Sequence, residues 1–283
     1  MRKRRRRNTI IWSIIAVLIL VAGWFSFGPQ PSDTNKRVVT IGVVGQSKQD
    51  AKIWDSVASV AKKKYGITIK IKNFTDYNQP NKALKDGEID LNSFQHYAFL
   101  NAWNKANNGS LVPIGRTYIA PIRLYSKKYH KLADLPVGAT IAVPNDATNE
   151  SRALFVLKNA GLIKLRPGKT LVTINDIVKN PQQLKIKELS AEQTSRVIDS
   201  VDAAVVNNTY AVTAGLTEKE TIYVEPVNKD SKQWINVIVA TKKNRNNPLY
   251  EDVVKAFQTK KTKQLVHKFY GDTELAAWDV VLK

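Results

Sequence analysis

Residues 38–92 read VVTIGVVGQSKQDAKIWDSVASVAKKKYGITIKIKNFTDYNQPNKALKDGEIDLN, and the alternation of element types along them decides the fold class. Val38–Val44 is a compact β-branched run ending at Gly45, the pattern of a buried strand. Asp50–Tyr65 places Ile53, Trp54, Val57, Val60 and Ala61 at helical spacing, and Gly66 supplies a residue able to close that helix. Ile67–Ile71 alternates apolar and basic residues as a second strand does. Pro80 suits the first position of a short helix through Lys85, Asp86-Gly87 makes a turn, and Ile89–Asn92 resumes a strand. A third helix is predicted over Phe94–Lys105. An order β-α-β-α-β-α implies a mostly parallel sheet with helices on both faces.

Downstream, Leu111–Tyr125 is β-rich and broken by Pro113 and Pro121. A second α/β series follows Gly138: strand Thr140–Val143, helix Thr148–Ala160, strands Leu184–Leu189 and Asp202–Val206, and helix Thr209–Ala214. Ile235–Thr241 is one more strand, and Pro248–Lys268 gives two closing helices that lack a sheet of their own. Two α/β lobes satisfy this order, with the chain crossing near Tyr118–Pro121 and returning near Ile235–Thr241. The expected organisation is a first lobe over 38–117 and 240–283 and a second over 118–239, with two crossings forming a hinge.

Upstream, residues 1–8 hold six basic residues, and Thr9–Phe27 (TIIWSIIAVLILVAGWFSF) carries no charge. Nineteen helical residues span about 28 Å, close to the hydrocarbon thickness of a bilayer. Positive charge before the segment and none after it until Lys36 predicts a cytoplasmic amino terminus and an extracytoplasmic remainder. Trp12, Trp24 and Phe25 lie near the ends, where amphipathic rings favour the interface. A cleaved secretory leader, processed near Ala22-Gly23, is the alternative. Residues 28–37 then form a short polar linker.

Composition removes whole classes of chemistry. The 283 residues contain no Cys and three His, which excludes disulfides, thiolate metal sites, iron–sulfur clusters and cysteine nucleophiles. Net charge is +20, but residues 38–283 hold 36 of the 44 basic and 23 of the 24 acidic residues, a net of +13. Their lysines are dispersed, without the clustered cations and interleaved aromatics of a nucleic-acid binder, and read as a solvated surface. No GxSxG, Walker, GxGxxG or HExxH pattern is present. Asp86, Glu88 and Asp90 alternate across a turn and strand, and a solvated turn explains them more simply than an acid/base pair.

Three polar or aromatic runs sit beside strand ends: Phe94–Phe99, Pro144–Arg152 and Val206–Tyr210. Ligands of open α/β sheets bind beyond the carboxyl ends of strands, near free helix N–H groups. Arg152 falls in the first turns of its helix, where its charge opposes the macrodipole. A bound carboxylate relieves that, and a surface arginine remains the alternative. His96 alone reads as a structural histidine; together with Tyr77, Phe94 and Phe99 it lines an aromatic pocket suited to an apolar or thioether side chain. Asn149, Asn207 and Asn236 offer amides that donate and accept, matching a zwitterion, although Asn149 and Asn207 also read as caps.

At these runs the sequence resembles the methionine-binding lipoproteins of ABC importers, the NlpA lipoprotein family. The matching stretches include VTIGVVG (39–45), FTDYNQPNKAL (74–84), DGEIDLNSFQH (86–96), RTYIAPIRLYSKK (116–128), LADLPVGATIAVPNDATNESRAL (132–154), NPQQLKIKEL (180–189), VDAAVVNNTYA (201–211) and INVIVA (235–240). The resemblance implies a two-lobe type II periplasmic-binding-protein fold, preceded here by the amino-terminal transmembrane helix. It implies a monomeric receptor domain that is not an enzyme and needs no cofactor or metal. Its ligand is L-methionine or a related amino acid, and its partners are an ABC permease, that permease's cytoplasmic ATPase and the membrane. Another amino acid, a short peptide or an exported enzyme on the same scaffold are the alternatives. By the same resemblance Tyr77, Phe94, His96 and Phe99 hold the side chain, Arg152 the α-carboxylate, and Asn149, Asn207 and Asn236 the ammonium and carboxylate. Two departures stand out. Val21-Ala22-Gly23-Trp24 resembles a lipoprotein signal with Trp in place of its Cys, so retention falls to an uncleaved helix. Glu150-Ser151 replaces small residues before Arg152 and is expected to bring a carboxylate near the ligand's own.

Overall fold

The computed structural model describes residues 37–280 and 282. The expected basic segment, membrane span and nearly all of the linker lie outside them. Among the described residues no helix is long and apolar enough to cross a membrane.

β1 (Val38–Val44) leads into α1 (Lys48–Tyr65). Ser47 and Asp50 form a capping box at its start, satisfying two orphan N–H groups, and Gly66 ends it in the left-handed region at φ 69°. The helix buries Ile53, Trp54, Val57 and Ala61. Trp54 meets Phe257 at a centroid distance of 5.2 Å, and each large side chain removed from water contributes about 1.5–3 kcal/mol. β2 (Thr68–Phe74), α2 (Gln79–Lys85), β3 (Leu91–His96) and α3 (Tyr97–Ala106) complete the first unit, followed by β4 (Leu111–Ile119) and β5 (Arg123–Tyr125). The third strand thus runs to His96 and absorbs Phe94, which sequence spacing assigns to the following helix. Tertiary pairing decides this: Asn236↔His96 and Val237↔Gln95 extend the ladder.

The second series contains β6 (Thr140–Pro144), α4 (Ala147–Asn159), β7 (Lys164–Leu165), β8 (Ile177–Lys179), β9 (Lys185–Leu189), α5 (Ala191–Arg196), β10 (Ala203–Val206), α6 (Asn208–Thr213) and β11 (Thr221–Val224). β12 (Ile235–Thr241), α7 (Pro248–Phe257), α8 (Lys260–Tyr270) and β13 (Leu275–Ala276) follow.

Two sheets result. The first has the order β13-β4-β12-β3-β1-β2 and the second β11-β5-β10-β6-β9. In the first, β1 is parallel to β2 and β3, while β12 inserts antiparallel between β3 and β4. The second repeats the plan, with β5 antiparallel between β10 and β11. Each lobe therefore receives one antiparallel strand from a crossing of the chain. The boundaries expected at 117/118 and 239/240 fall inside β4 and β12. The chain leaves the first sheet after Ile119 and re-enters it at Ile235.

The outer face of the first sheet packs on α1, α7 and α8, and that of the second on α4. A third core joins the lobes: Val44, Phe74 and Phe94 of the first with Ala204, Tyr210 and Ala211 of the second. The carboxylates at the turn serve structure, since Glu88 pairs with Lys72 and Asp90 accepts from Thr40 N–H and the Tyr250 hydroxyl.

Candidate functional site

β3 and α2 are locked together by buried amides. Asn81 Nδ2 donates to Gln95 Oε1 at 2.9 Å, Asn92 Nδ2 donates to Asn81 Oδ1 at 2.9 Å, and Gln95 Nε2 donates to Asn92 Oδ1 at 2.9 Å. All three residues are at most 2% exposed. This network holds the carboxyl end of β3, from which Phe94 and His96 project, against the helix that follows Tyr77. Beyond the strand, His96 caps α3 by accepting the Phe99 N–H at Nδ1, 3.1 Å.

The second lobe presents its own strand ends. Asp146 caps α4 by accepting the Asn149 N–H at 3.0 Å, and Asn207 stands at the junction of β10 and α6. A hollow of about 450 Å³, open solvent at its mouth included, lies between the lobes. Tyr77, Phe94, His96, Phe99 and Asn236 line it from the first lobe, and Asn149, Arg152 and Asn207 from the second. The structure thus gathers all eight residues singled out in the sequence around one pocket.

Their environments separate them. Tyr77 lies 5.8 Å from Phe94, 6.0 Å from Phe99 and 5.0 Å from Tyr210 between ring centroids, forming an aromatic sleeve. Burial pushes the Tyr77 and Tyr210 hydroxyls above the ordinary phenol range, so both stay neutral. His96 is pushed down to about 3, chiefly by burial and then by the Arg152 charge, and is neutral at physiological pH. With Nδ1 accepting from Phe99, the proton sits on Nε2, which donates to Asn149 Oδ1 at 3.3 Å across the lobes.

Asn149 is fully engaged. Its Nδ2 donates to both Asp146 carboxylate oxygens and its Oδ1 also accepts from Asn207 Nδ2 at 2.8 Å. It positions its neighbours, but Asp146 is the cap of α4 and Asn149 the residue capped. Of the two asparagines read as caps only Asn207 stands at an N-cap, and its side chain makes no bond to its helix. Asn207 Oδ1, by contrast, is buried and without a hydrogen-bond partner among the described residues. A buried orphan acceptor costs about 1–3 kcal/mol unless a donor arrives, so this oxygen is open to a donor entering the pocket.

Arg152 does not offer an open fork. Its Nε donates to Glu225 Oε1 at 2.9 Å, its Nη2 to Glu225 Oε2 and, at 3.0 Å, to the Ala120 carbonyl. The guanidinium carbon lies 4.7 Å from the Trp234 ring centroid. The carboxylate that relieves the macrodipole conflict is therefore Glu225, and only Nη1 has no partner among the described residues. Glu150 also differs from expectation. It faces away from the pocket and accepts the Ile174 N–H at Oε1, 3.1 Å, bracing the loop that precedes β8. Residues i and i+2 of a helix point to different sides, so Glu150 and Arg152 do not share a face.

The sequence reading missed Gln95, Tyr118, Asn208 and Thr209 of the lining, and Glu225 and Trp234 behind Arg152. Asn208 and Thr209 adjoin Asn207 and were reachable from the strand-end argument. Glu225 and Trp234 carry no local signal, because the segment holding them meets Arg152 only through the return crossing. No group of His, Asp and Glu among the described residues is arranged to hold a metal.

The lobes meet directly around the pocket. Tyr210 donates to the Thr75 carbonyl at 3.3 Å, Thr213 Oγ1 to the Gly45 carbonyl at 3.1 Å, and Asn208 Nδ2 to Glu274 Oε1 at 2.7 Å. These contacts describe a closed cleft.

Comparison with known proteins follows the same lines. The family model described as NlpA lipoprotein matches residues 39–278. The probable D-methionine-binding lipoprotein MetQ of Pasteurella multocida is 39% identical over 250 residues, covering 88% of this chain and 89% of the relative. The substrate-binding protein of a methionine transporter from Streptococcus pneumoniae has 47% identity and a TM-score of 0.81, over 85% of this chain and 96% of that one. A nutrient-binding protein from Burkholderia cenocepacia, solved with methionine bound, has 40% identity and a TM-score of 0.80, over 84% and 99%. The fold is the two-lobe α/β fold of these binding proteins, and the chain belongs to the NlpA lipoprotein family.

Proposed function

We propose that this protein is the extracytoplasmic binding component of an ABC importer and captures L-methionine or a related amino acid between its lobes. The observation that carries the reading is the division of one closed pocket into an aromatic sleeve (Tyr77, Phe94, Phe99) and a polar end. At that end stand an orphan acceptor, Asn207 Oδ1, and an unoccupied guanidinium corner, Arg152 Nη1. Rings of this kind favour a thioether by about 0.3–1.5 kcal/mol per contact, and the acceptor and cation suit an α-ammonium and α-carboxylate. Methionine-binding relatives support the same ligand.

The ligand bridges both lobes and so stabilises the closed form by its differential affinity. In this reading Thr9–Phe27 tethers the domain to the membrane with the amino terminus cytoplasmic, and the closed form docks on a permease driven by a cytoplasmic ATPase. The chain performs no covalent step. Residues 37–283 mixed with a free amino-acid panel test the reading by melting shift, with mass spectrometry of whatever co-purifies. A large shift with methionine, unchanged in mass, is expected, and Arg152→Ala abolishes it. A methionine-sized shift from every amino acid, or conversion of the ligand, overturns the proposal.

A further inference from the structure

The Glu225 carboxylate grips the Nε–Nη2 edge of Arg152, is 11% exposed against 4% for the arginine side chain, and also accepts the Ile122 N–H at Oε2, 3.2 Å. Glu225 N–H in turn donates to the Ile122 carbonyl at 3.0 Å. Ile122 and Ala120 lie on the outgoing crossing of the chain, and Glu225 and Trp234 on the returning one. Arg152 is thereby fastened to both crossings: to the outgoing one through the Ala120 carbonyl and to the returning one through Glu225 and the Trp234 ring. The pair is neutral as a unit, and neutral His96 adds no charge.

From this geometry we infer that Glu225 is a specificity-determining positioning residue: it neutralises Arg152 and leaves only its Nη1 corner to the ligand, so the pocket accepts an uncharged carbonyl at the α-carboxyl position, as in an α-amide, alongside a carboxylate. The inference rests on reading the pocket as an amino-acid site. An isolated guanidinium in a water-poor pocket demands an anion, because leaving the charge unmatched is costly. A guanidinium already matched by Glu225 makes no such demand, and the two N–H donors left at Nη1 serve an amide oxygen as well as a carboxylate oxygen.

The test is calorimetric titration of the full chain in detergent with L-methionine and L-methioninamide, for wild type, Glu225→Gln and Glu225→Asp. Wild type is expected to bind the amide within roughly a hundredfold of methionine. Glu225→Gln removes the buried anion and raises the potential at Nη1, so the ratio of methionine to amide affinity grows at least about tenfold. Glu225→Asp keeps the charge and holds the wild-type ratio. Because the readout is a ratio, loss of packing that weakens both ligands alike leaves it unmoved. A ratio unchanged or reduced in Glu225→Gln overturns the inference. If that variant does not fold, a wild-type preference for methionine beyond a hundredfold overturns it. Failure of wild type to bind either ligand refutes the amino-acid reading itself, an outcome separate from these.

Discussion

Replacing Gly45 by Ala tests whether closure of the lobes generates affinity. Gly45 follows β1 at φ 57°, and a Cβ built there comes 2.8 Å from Thr209 Cγ2, an atom of the opposite lobe. Left-handed backbone costs a non-glycine residue about 1–2 kcal/mol, but that cost is paid alike in open and closed forms and cancels from their equilibrium. The overlap with Thr209 exists only when the lobes meet. Overpacking of this kind costs about 1–3 kcal/mol, which lowers the closed population and weakens apparent affinity by roughly 5- to 150-fold. Thr209→Ser removes Cγ2 and keeps the hydroxyl that bonds Tyr77. The remaining neighbours of the new Cβ, Thr213 Oγ1 at 3.5 Å and the Thr209 carbonyl at 3.9 Å, are ordinary contacts. Gly45→Ala/Thr209→Ser is therefore expected to bind methionine within about threefold of Thr209→Ser alone, with the backbone strain remaining as a lowered melting temperature. Calorimetric titration of the four proteins completes the cycle. Equal affinity of Gly45→Ala and wild type, or no rescue by the serine, refutes the argument that contact between these lobes sets the binding constant.

Two further outcomes concern stability. His96 is held neutral with a depressed pKa of about 3, so as pH falls below about 6.5 the unfolded chain takes up a proton that the native state refuses. The associated stability is complete above pH 6.5 and declines toward pH 3. Relative to His96→Gln, wild type is expected to lose about 2–3 kcal/mol more between pH 7 and 4.5 in denaturant titrations; parallel curves for the two would be incompatible with a buried neutral imidazole. Asn81→Ala strips Gln95 Oε1 of its donor and takes an acceptor from Asn92 and Gln95 in a region at most 2% exposed. A loss of about 2–4 kcal/mol is expected in urea unfolding, and a loss under about 1 kcal/mol would mean that water replaces the missing amide.

Much of this molecule is legible along the chain. Strands such as Val38–Val44 are buried on both faces and announce themselves by β-branched runs, and α1 declares its ends through Ser47, Asp50 and Gly66. Such signals act over a few residues, so the order of elements, and with it the two-lobe plan, follows from sequence. Phe94, His96, Phe99, Asn149, Arg152 and Asn207, which line the pocket, lie in runs at the ends of their own strands and are legible for that reason, whereas Asn236, at the start of β12, is placed in the pocket only through the family resemblance. Contacts made at a distance decided the rest. Nothing near Phe94 says that β12 will pair beside it and keep the chain extended to His96. Nothing near Arg152 says that Glu225, 73 residues later, will occupy its fork. Both depend on where the return crossing lies, which is set by packing the second lobe against the first. Short-range stereochemistry thus determined the elements and their sequence, while long-range burial of charge and backbone determined how the pocket presents its one cation.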